Sequence, residues 1–428
     1  MRFRILLYNV WSYLALPLLA PLFFIKSLVK GRKIIQSASP ASVLPGSRFF
    51  WVQAASAGEV LIARTLIDNF KMQLSDFRWL VITTTHSGYM MAEKTFAGQE
   101  EFLYLPWDFS FVLNRWLKRY PPAGFLVVEN GIWPNLIARL ANCKVILAML
   151  NGRVNDRTWR RYRRNSFFLR AVLPEINFFC VQTRDDAQRL INLGAVPERI
   201  SITGNAKYDQ EFPEIAVAER NRLLGELGLN GETRLLIAGS THPGEEEIIL
   251  DAFDAISAVY PDVVLMIAPR HLERLGILED LLRTRKIAYQ ARSLVNGNRT
   301  AQVLILDTFG ELSRFYGLAY LAFVGGSFVP VGGHNLLEPA ARGCPVLFGP
   351  FTQNFREITK LLIDNGVGFE VGDSRELADR CLALLNEPVQ CQALGVKASS
   401  LVAAHRGATK RMIDLYMTLF NENENAAK

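Results

Sequence analysis

The chain has 428 residues, 50% hydrophobic and 21% charged, which excludes a disordered, collagen-like or disulfide-scaffold protein. Length allows about three domains at roughly 150 residues each. The formal charge of +7 is uneven: residues 1–211 carry 27 Lys and Arg against 15 Asp and Glu, and residues 212–428 carry 21 against 26, so an anionic partner is expected at the front half.

The first 33 residues differ from the rest. Ile5–Ile25 is free of charge over 21 residues, long enough for a bilayer core and longer than a signal-peptide core. Arg2 and Arg4 precede it, and Lys26, Lys30, Arg32 and Lys33 follow, which places the rear side in the cytoplasm. Asn9, Ser12, Pro17 and Pro21 weaken a clean span, and Tyr8, Trp11 and Tyr13 suit an interface. Residues 1–33 are expected to be a membrane anchor, spanning or lying in the interface. The alternative is a hydrophobic helix docked on the body.

Behind this segment, short apolar β-rich runs alternate with helical patterns. Strands are expected at Phe49–Ala54, Trp79–Thr83, Gly124–Val128, Val145–Met149 and Phe178–Gln182, then at Arg234–Ala238, Val263–Ala268, Val303–Leu306, Leu321–Val324 and Pro345–Phe348. Continuous apolar strands between helices imply parallel sheets covered on both faces. Two such series imply two doubly wound Rossmann-like lobes, residues 34–211 and 212–398, with DQEFPEIA breaking the alternation between them. Residues 399–428 are expected to hold a helix that can cross back to the first lobe, with NENENAAK as a frayed tail.

Ligands of such sheets bind beyond the carboxyl ends of the strands. The residues there are S-A-G-E (56–59), T-T-H-S-G (84–88), E-N-G (129–131) and N-G-R (151–153) in front, and G-S-T-H (239–242), P-R-H (269–271), D-T-F-G-E (307–311) and G-G-S (325–327) behind. Small residues let amides approach a ligand, and helix N-termini favour anions. A nucleotide-linked substrate in a cleft between two lobes is the expected ligand. In Gly325–Pro350 two glycine pairs flank a short loop. Gly332 and Gly333 can expose amides to a phosphate, His334 can donate to one, and Glu338 is placed for a ribose hydroxyl. Asn335 and Glu338 also fit an N-terminal capping box, which does not exclude ligand contact.

Five scattered Cys form no C-x-x-C pair, five His show no H-E-x-x-H spacing and no D-x-D occurs, so neither a structural zinc nor that metal motif is expected. Arg153–Arg170 holds seven Arg and one Asp among aromatics. Nucleic acid or a glycolipid phosphate at a bilayer would each explain it. The apolar N-terminus and the lack of a nucleic-acid motif favour the glycolipid.

Several stretches taken together resemble the two-lobed (GT-B) glycosyltransferases, and specifically the 3-deoxy-D-manno-octulosonic acid (Kdo) transferases of lipopolysaccharide synthesis. They are S-A-G-E (56–59), V-E-N-G-I-W-P-N (128–135), T-G-N-A-K-Y-D (203–209), A-G-S-T-H-P-G-E-E-E (238–247), A-P-R-H (268–271), D-T-F-G-E-L (307–312) and G-G-H-N-L-L-E-P (332–339). The family commonly carries a second acid where this chain has Gly131. The resemblance implies an inverting transfer of Kdo from CMP-Kdo to a lipid A precursor at the cytoplasmic face of the inner membrane. It implies no cofactor, and no metal if basic groups and amides stabilise the phosphate.

It also implies roles. Glu59 matches the general base, kept ionised near pH 7 by a helix N-terminus, with simple capping as the alternative. Glu129 would support Glu59 or orient the acceptor, or form a structural ion pair. Arg270 is the leading candidate for donor phosphate or carboxylate, with His271 beside it. Lys207, Ser240, Thr241, Gly310 and Glu311 complete the donor set with Gly332, Gly333, His334, Asn335 and Glu338. His86 and Arg153 are the acceptor candidates. The competing readings are another GT-B-like enzyme, such as a nucleotide-sugar epimerase, and a non-catalytic membrane-surface binding protein.

Overall fold

The computed structural model describes residues 3–14, 37–38, 46–105, 107–210, 212 and 215–427. The chain forms two compact units, Met1–Asp209 with His405–Lys428, and Gln210–Ala404.

The first unit holds strands β1 (Ser37–Ala38), β2 (Phe49–Gln53), β3 (Arg78–Thr83), β4 (Glu101–Tyr104), β5 (Pro122–Val128), β6 (Ile146–Gly152), β7 (Phe178–Val181) and β8 (Ile200–Ile202). Their order in the sheet is β1-β4-β3-β2-β5-β6-β7-β8. Every pairing is parallel except that of β1 with β4. Strand β2 shows why the sheet is buried on both faces. Phe50 and Val52 join one core with Val60, Leu66 and Phe70 of helix Ala57–Lys71, while Phe49 and Trp51 join the core beneath helix Pro134–Asn142. Chain order reverses between β2 and β5, so the residues that follow these two strands flank the switch point where ligands bind.

The second unit repeats the plan with β9 (Leu235–Thr241), β10 (Val264–Pro269), β11 (Tyr289–Ala291), β12 (Val303–Ile305), β13 (Leu321–Val324), β14 (Val346–Phe348) and β15 (Gly368–Glu370). All pairings are parallel, in the order β11-β12-β10-β9-β13-β14-β15, with the switch between β9 and β13. The edge strands β1, β8, β11 and β15, and β4 next to β1, are additional to those expected.

The C-terminal region differs from the single helix expected. Helix Pro388–Ala404 belongs to the second unit, and helix Ala408–Ala427 belongs to the first. Between them the Asp209 carboxylate accepts from the N–H groups of Gly407 and Thr409, and Arg411 donates to the Thr203 carbonyl. Ala408, Met412, Ile413, Tyr416, Met417 and Phe420 then bury one stripe on the core of β2. Each large side chain in that stripe contributes about 1.5–3 kcal/mol. Helix Ala408–Ala427 runs on into the NENENAAK stretch, which holds no Gly or Pro.

Residues 3–14 are helical and rest on the first unit, with Ile5 packed against its core. Among the described residues no helix is long and apolar enough to cross a membrane. The rest of the expected anchor, residues 1–2 and 15–33, lies outside the described residues.

Candidate active site

In the first unit the switch point is occupied by acids. Ser56 caps helix Ala57–Lys71, and the Glu59 carboxylate folds back onto the cap, accepting from the Ala55 N–H at 2.7 Å and the Ser56 hydroxyl at 3.0 Å. Glu59 is buried. Removal from water, then the nearby charge of Glu129, raise its pKa to about 7; the bonds from Ala55 and Ser56 and the charge of Lys207 only partly offset this. The expectation that a helix N-terminus keeps this group fully ionised near pH 7 is therefore corrected. Burial and a like charge outweigh the cap, and the carboxyl titrates near neutrality. The capping contacts and the raised pKa belong to the same side chain.

Glu129 follows β5 with φ at 57°, a left-handed conformation unusual for a residue with a Cβ. Its carbonyl accepts from the Arg153 N–H, and its carboxylate lies 3.7 Å from Lys207 Nζ. Lys207, expected to reach a donor, is thus paired with an acid of the first unit. Beneath it lies a buried polar network that the sequence reading missed. Asn151 Oδ1 accepts from the Ala206 N–H, Gln182 Nε2 donates to the Asn151 carbonyl, and Asn205 Nδ2 donates to Gln182 Oε1. These bonds fix the 203–209 loop, and Lys207 with it. Single Asn and Gln residues in separate loops carry no spacing signal.

Gly131, the departure from the family pattern, has a neighbour that accounts for it. A Cβ there would stand 2.9 Å from the Gln53 side chain, whose buried amide has no hydrogen-bond partner among the described residues. Gln53 therefore fills the space into which a side chain at 131 would project.

Of the acceptor candidates, His86 opens helix His86–Phe96, beside the turn that carries Glu59: Thr85 Oγ1 donates to the Ala55 carbonyl at 2.6 Å. Arg153 is half-buried next to Glu129. The other Arg of the cluster, at 157, 160, 161, 163, 164 and 170, are exposed on helices Asp156–Arg164 and Ser166–Val172.

In the second unit, Glu245 organises the loops at the switch point. It is fully buried, and its carboxylate accepts four main-chain N–H bonds, from His242 at 2.9 Å, Gly326 at 2.6 Å, Ser327 at 3.0 Å and Phe328 at 2.8 Å. It clamps the loop after β13 to the loop after β9. Gly325 permits this approach, since a Cβ there would lie 2.5 Å from the Ser240 carbonyl. The clamp corrects two expectations. The amides of Gly332 and Gly333 do not stand open to a phosphate, because both donate to the Gly326 carbonyl. The Thr241 hydroxyl is buried and donates to Glu246, which also pairs with Arg274. Ser240 remains half-buried with φ at 58°.

Around this clamp the donor candidates converge. His334 Nε2 lies 2.8 Å from Nε2 of His242, a loop residue not assigned to the donor set from sequence. His271 meets His242 edge-on at 5.9 Å. Burial, then the positive charge of Arg270, push His334 down to about 4. Burial lifts Glu338, opposed by its bond from Asn335 Nδ2 and the Arg270 charge. Arg270 is itself exposed and held by its own N–H to the Thr241 carbonyl. Asn335 Oδ1 also accepts from the Leu337 N–H, so the helix-start role is present alongside any ligand contact. Gly310 is exposed with φ at 87°, and Glu311 is engaged by Thr308 and Arg292. Among the described residues no group of three His, Cys, Asp or Glu is placed to hold a metal ion.

The 3-deoxy-D-manno-octulosonic acid transferase (Kdo transferase) family model matches residues 29–210. A 3-deoxy-D-manno-octulosonic acid transferase of Haemophilus influenzae is 33% identical over 89% of this chain and 89% of its own length. One of Bordetella pertussis is 32% identical over 85% and 86%. A bifunctional glycosyltransferase/methyltransferase of Fusobacterium nucleatum is 31% identical over 89% of this chain, which spans 59% of that longer protein. Among solved structures, a UDP-GlcNAc 2-epimerase of Neisseria meningitidis has a TM-score of 0.57 at 11% identity, covering 87% of this chain and all of that one. At that identity the likeness shows only the shared two-domain α/β fold, the one the GT-B glycosyltransferases use. Identity near one third along nearly the whole chain shows that it belongs to the Kdo transferases and is a glycosyltransferase.

Proposed function

We propose that this protein transfers Kdo from CMP-Kdo to a hydroxyl of a lipid A precursor, lipid IVA, with inversion at the anomeric carbon. The carrying observation is Glu59: a buried carboxyl at a sheet switch point, with a pKa of about 7, in a Kdo transferase chain. A general base works best with a pKa close to the operating pH.

In this reading Glu59 takes the proton of the acceptor hydroxyl as its oxygen bonds to the anomeric carbon. The bond from that carbon to the CMP phosphate breaks, and CMP leaves with the electron pair as a phosphate monoester. Glu129 holds up the Glu59 pKa, and Lys207 limits the repulsion between the two acids. Arg270 grips the donor's phosphate or carboxylate, and Glu338 and Asn335 meet the ribose. His86 and Arg153 border the acid pair on the acceptor side. The six exposed Arg between 157 and 170 face the phosphates of the glycolipid and of the inner membrane's cytoplasmic leaflet. The exposed apolar face of residues 3–14, with Phe3, Leu6, Val10 and Leu14 outward, supports membrane association.

A product mass spectrum tests the reading. Purified full-length protein, CMP-Kdo and lipid IVA should yield lipid heavier by whole Kdo units, and the increment counts them. CMP-Kdo left intact, or consumed without any gain in lipid mass, would refute it.

A further inference from the structure

A cavity of about 420 Å³ opens in the first unit, between the loops that follow β4 and β5. Trp107, Phe109 and Trp133 line it from these loops, and Arg161 and Phe168 line it from the basic helices. The remaining wall is the N-terminal helix, which contributes Tyr8, Trp11 and Ser12.

That helix is held by specific polar bonds. Asn9 Oδ1 accepts from Asn135 Nδ2 at 2.8 Å and from the Ser110 hydroxyl at 3.3 Å. The Tyr13 hydroxyl meets Ser110 at 3.0 Å, and Tyr8 lies beside the Asp108 carboxylate, which accepts from the Asn135 and Leu136 N–H groups. A segment that only tethered the protein to a bilayer would need none of these contacts. They orient the helix so that Tyr8 and Trp11 border the cavity, Trp11 with much of its ring still exposed, while Phe3, Leu6 and Leu14 are exposed away from it.

The cavity adjoins the acid pair. Asn130 in its wall follows Glu129 directly. Tyr162, also in the wall, receives the Ile132 N–H and lies within reach of the Glu59 charge. Aromatic faces suit the apolar faces of a sugar ring, and the Arg161 guanidinium suits a phosphate. The volume fits a small-molecule site rather than a whole multi-acyl lipid.

We infer that this cavity seats the phosphorylated sugar head of the membrane glycolipid acceptor, and that Tyr8 and Trp11 of the N-terminal helix are acceptor-binding residues rather than only parts of a tether. The inference rests on the Kdo-transfer reading.

Full-length Trp11→Ala and Arg161→Ala proteins are assayed in detergent micelles, where bilayer attachment no longer concentrates the acceptor. The acceptor KM is expected to rise about tenfold in each, with the CMP-Kdo KM within about twofold of wild type. Leu6→Ala/Leu14→Ala, altered only on the exposed face, should weaken sedimentation with phosphatidylethanolamine–phosphatidylglycerol vesicles and leave the micellar acceptor KM unchanged. An unchanged acceptor KM in Trp11→Ala, beside wild-type transfer, would overturn this inference and leave the Kdo-transfer reading standing. Inhibition by phosphatidylglycerol as strong as that by a non-reacting acceptor analogue would also overturn it. Absence of transfer by the wild-type protein would overturn both.

Discussion

His242 and His334 meet Nε2 to Nε2 at 2.8 Å, with ring planes 8° apart. Such a contact is an N–H···N bond, so one Nε2 carries a proton and the other does not. The two rings hold opposite tautomers on these nitrogens, and a second proton between them would break the bond. Burial depresses both groups, and His334 is pushed to about 4, with Arg270, His242 and His271 adding to the effect. Glu245 and Glu246 oppose it at His242, where His271 and Arg274 act with burial. At pH 7 a long-range nitrogen–proton spectrum should show both rings neutral and in opposite tautomers. Because the folded pKa of His334 lies below its unfolded value, the unfolded chain binds more protons between about pH 6.5 and 4. Stability should therefore fall as pH drops through that window, and less steeply in His334→Gln. Equal slopes in the two proteins would contradict this account.

Glu59→Gln should lower transfer by about 10²–10⁴ while CMP binding persists. In the wild-type protein the rate should rise with pH up to about 7 and level off above it, since the base must be deprotonated. Stability has the opposite slope. The folded pKa exceeds the unfolded value of 4.5, so the native state binds more protons between about pH 4.5 and 7, and loses stability there as pH rises. Gln, which does not titrate, removes that pH dependence. Near-normal turnover by the variant would eliminate Glu59 as the base.

Glu245→Ala should be the most damaging single change in the second unit. It leaves four main-chain N–H groups without their acceptor, and each unsatisfied buried group costs about 1–3 kcal/mol. A loss of at least about 3 kcal/mol in urea unfolding is expected, together with loss of CMP binding. A variant as stable as wild type would show that the loop after β13 does not depend on this clamp.

Arg270→Ala tests the donor side without a stability penalty, because its side chain is exposed. Loss of a charge-assisted contact worth about 1.5–3 kcal/mol should weaken CMP-Kdo binding roughly 10- to 150-fold. Acceptor KM should stay near wild type. Unchanged donor affinity in a calorimetric titration would remove Arg270 from the site.

Local pattern made much of this architecture readable. The long apolar runs at β2, β5, β9 and β10 are strands because nothing but a sheet covered on both faces buries every successive side chain. The post-strand loops then follow, and with them Glu59, Glu129, His334 and Arg270. Ser37–Ala38 and Ile200–Ile202 offer no such long apolar run, and nothing in the Pro388–Ala427 stretch states that one helix stays with the second unit while the next returns to the first.

The sequence by itself determined which side chains follow the strands, and the family they resemble, because covalent spacing and apolar period are local properties. Tertiary structure alone decided their chemical state. Glu59 titrates near 7 because folding removes it from water and places Glu129 beside it. The Gly332 and Gly333 amides are closed to an anion because the Gly326 carbonyl reaches both. Glu245 became a clamp, and residues 3–14 a cavity wall, through contacts with chain about 80 and 100 residues or more away. Desolvation and pairing depend on which distant segments fold against a group, and no spacing along the chain encodes that.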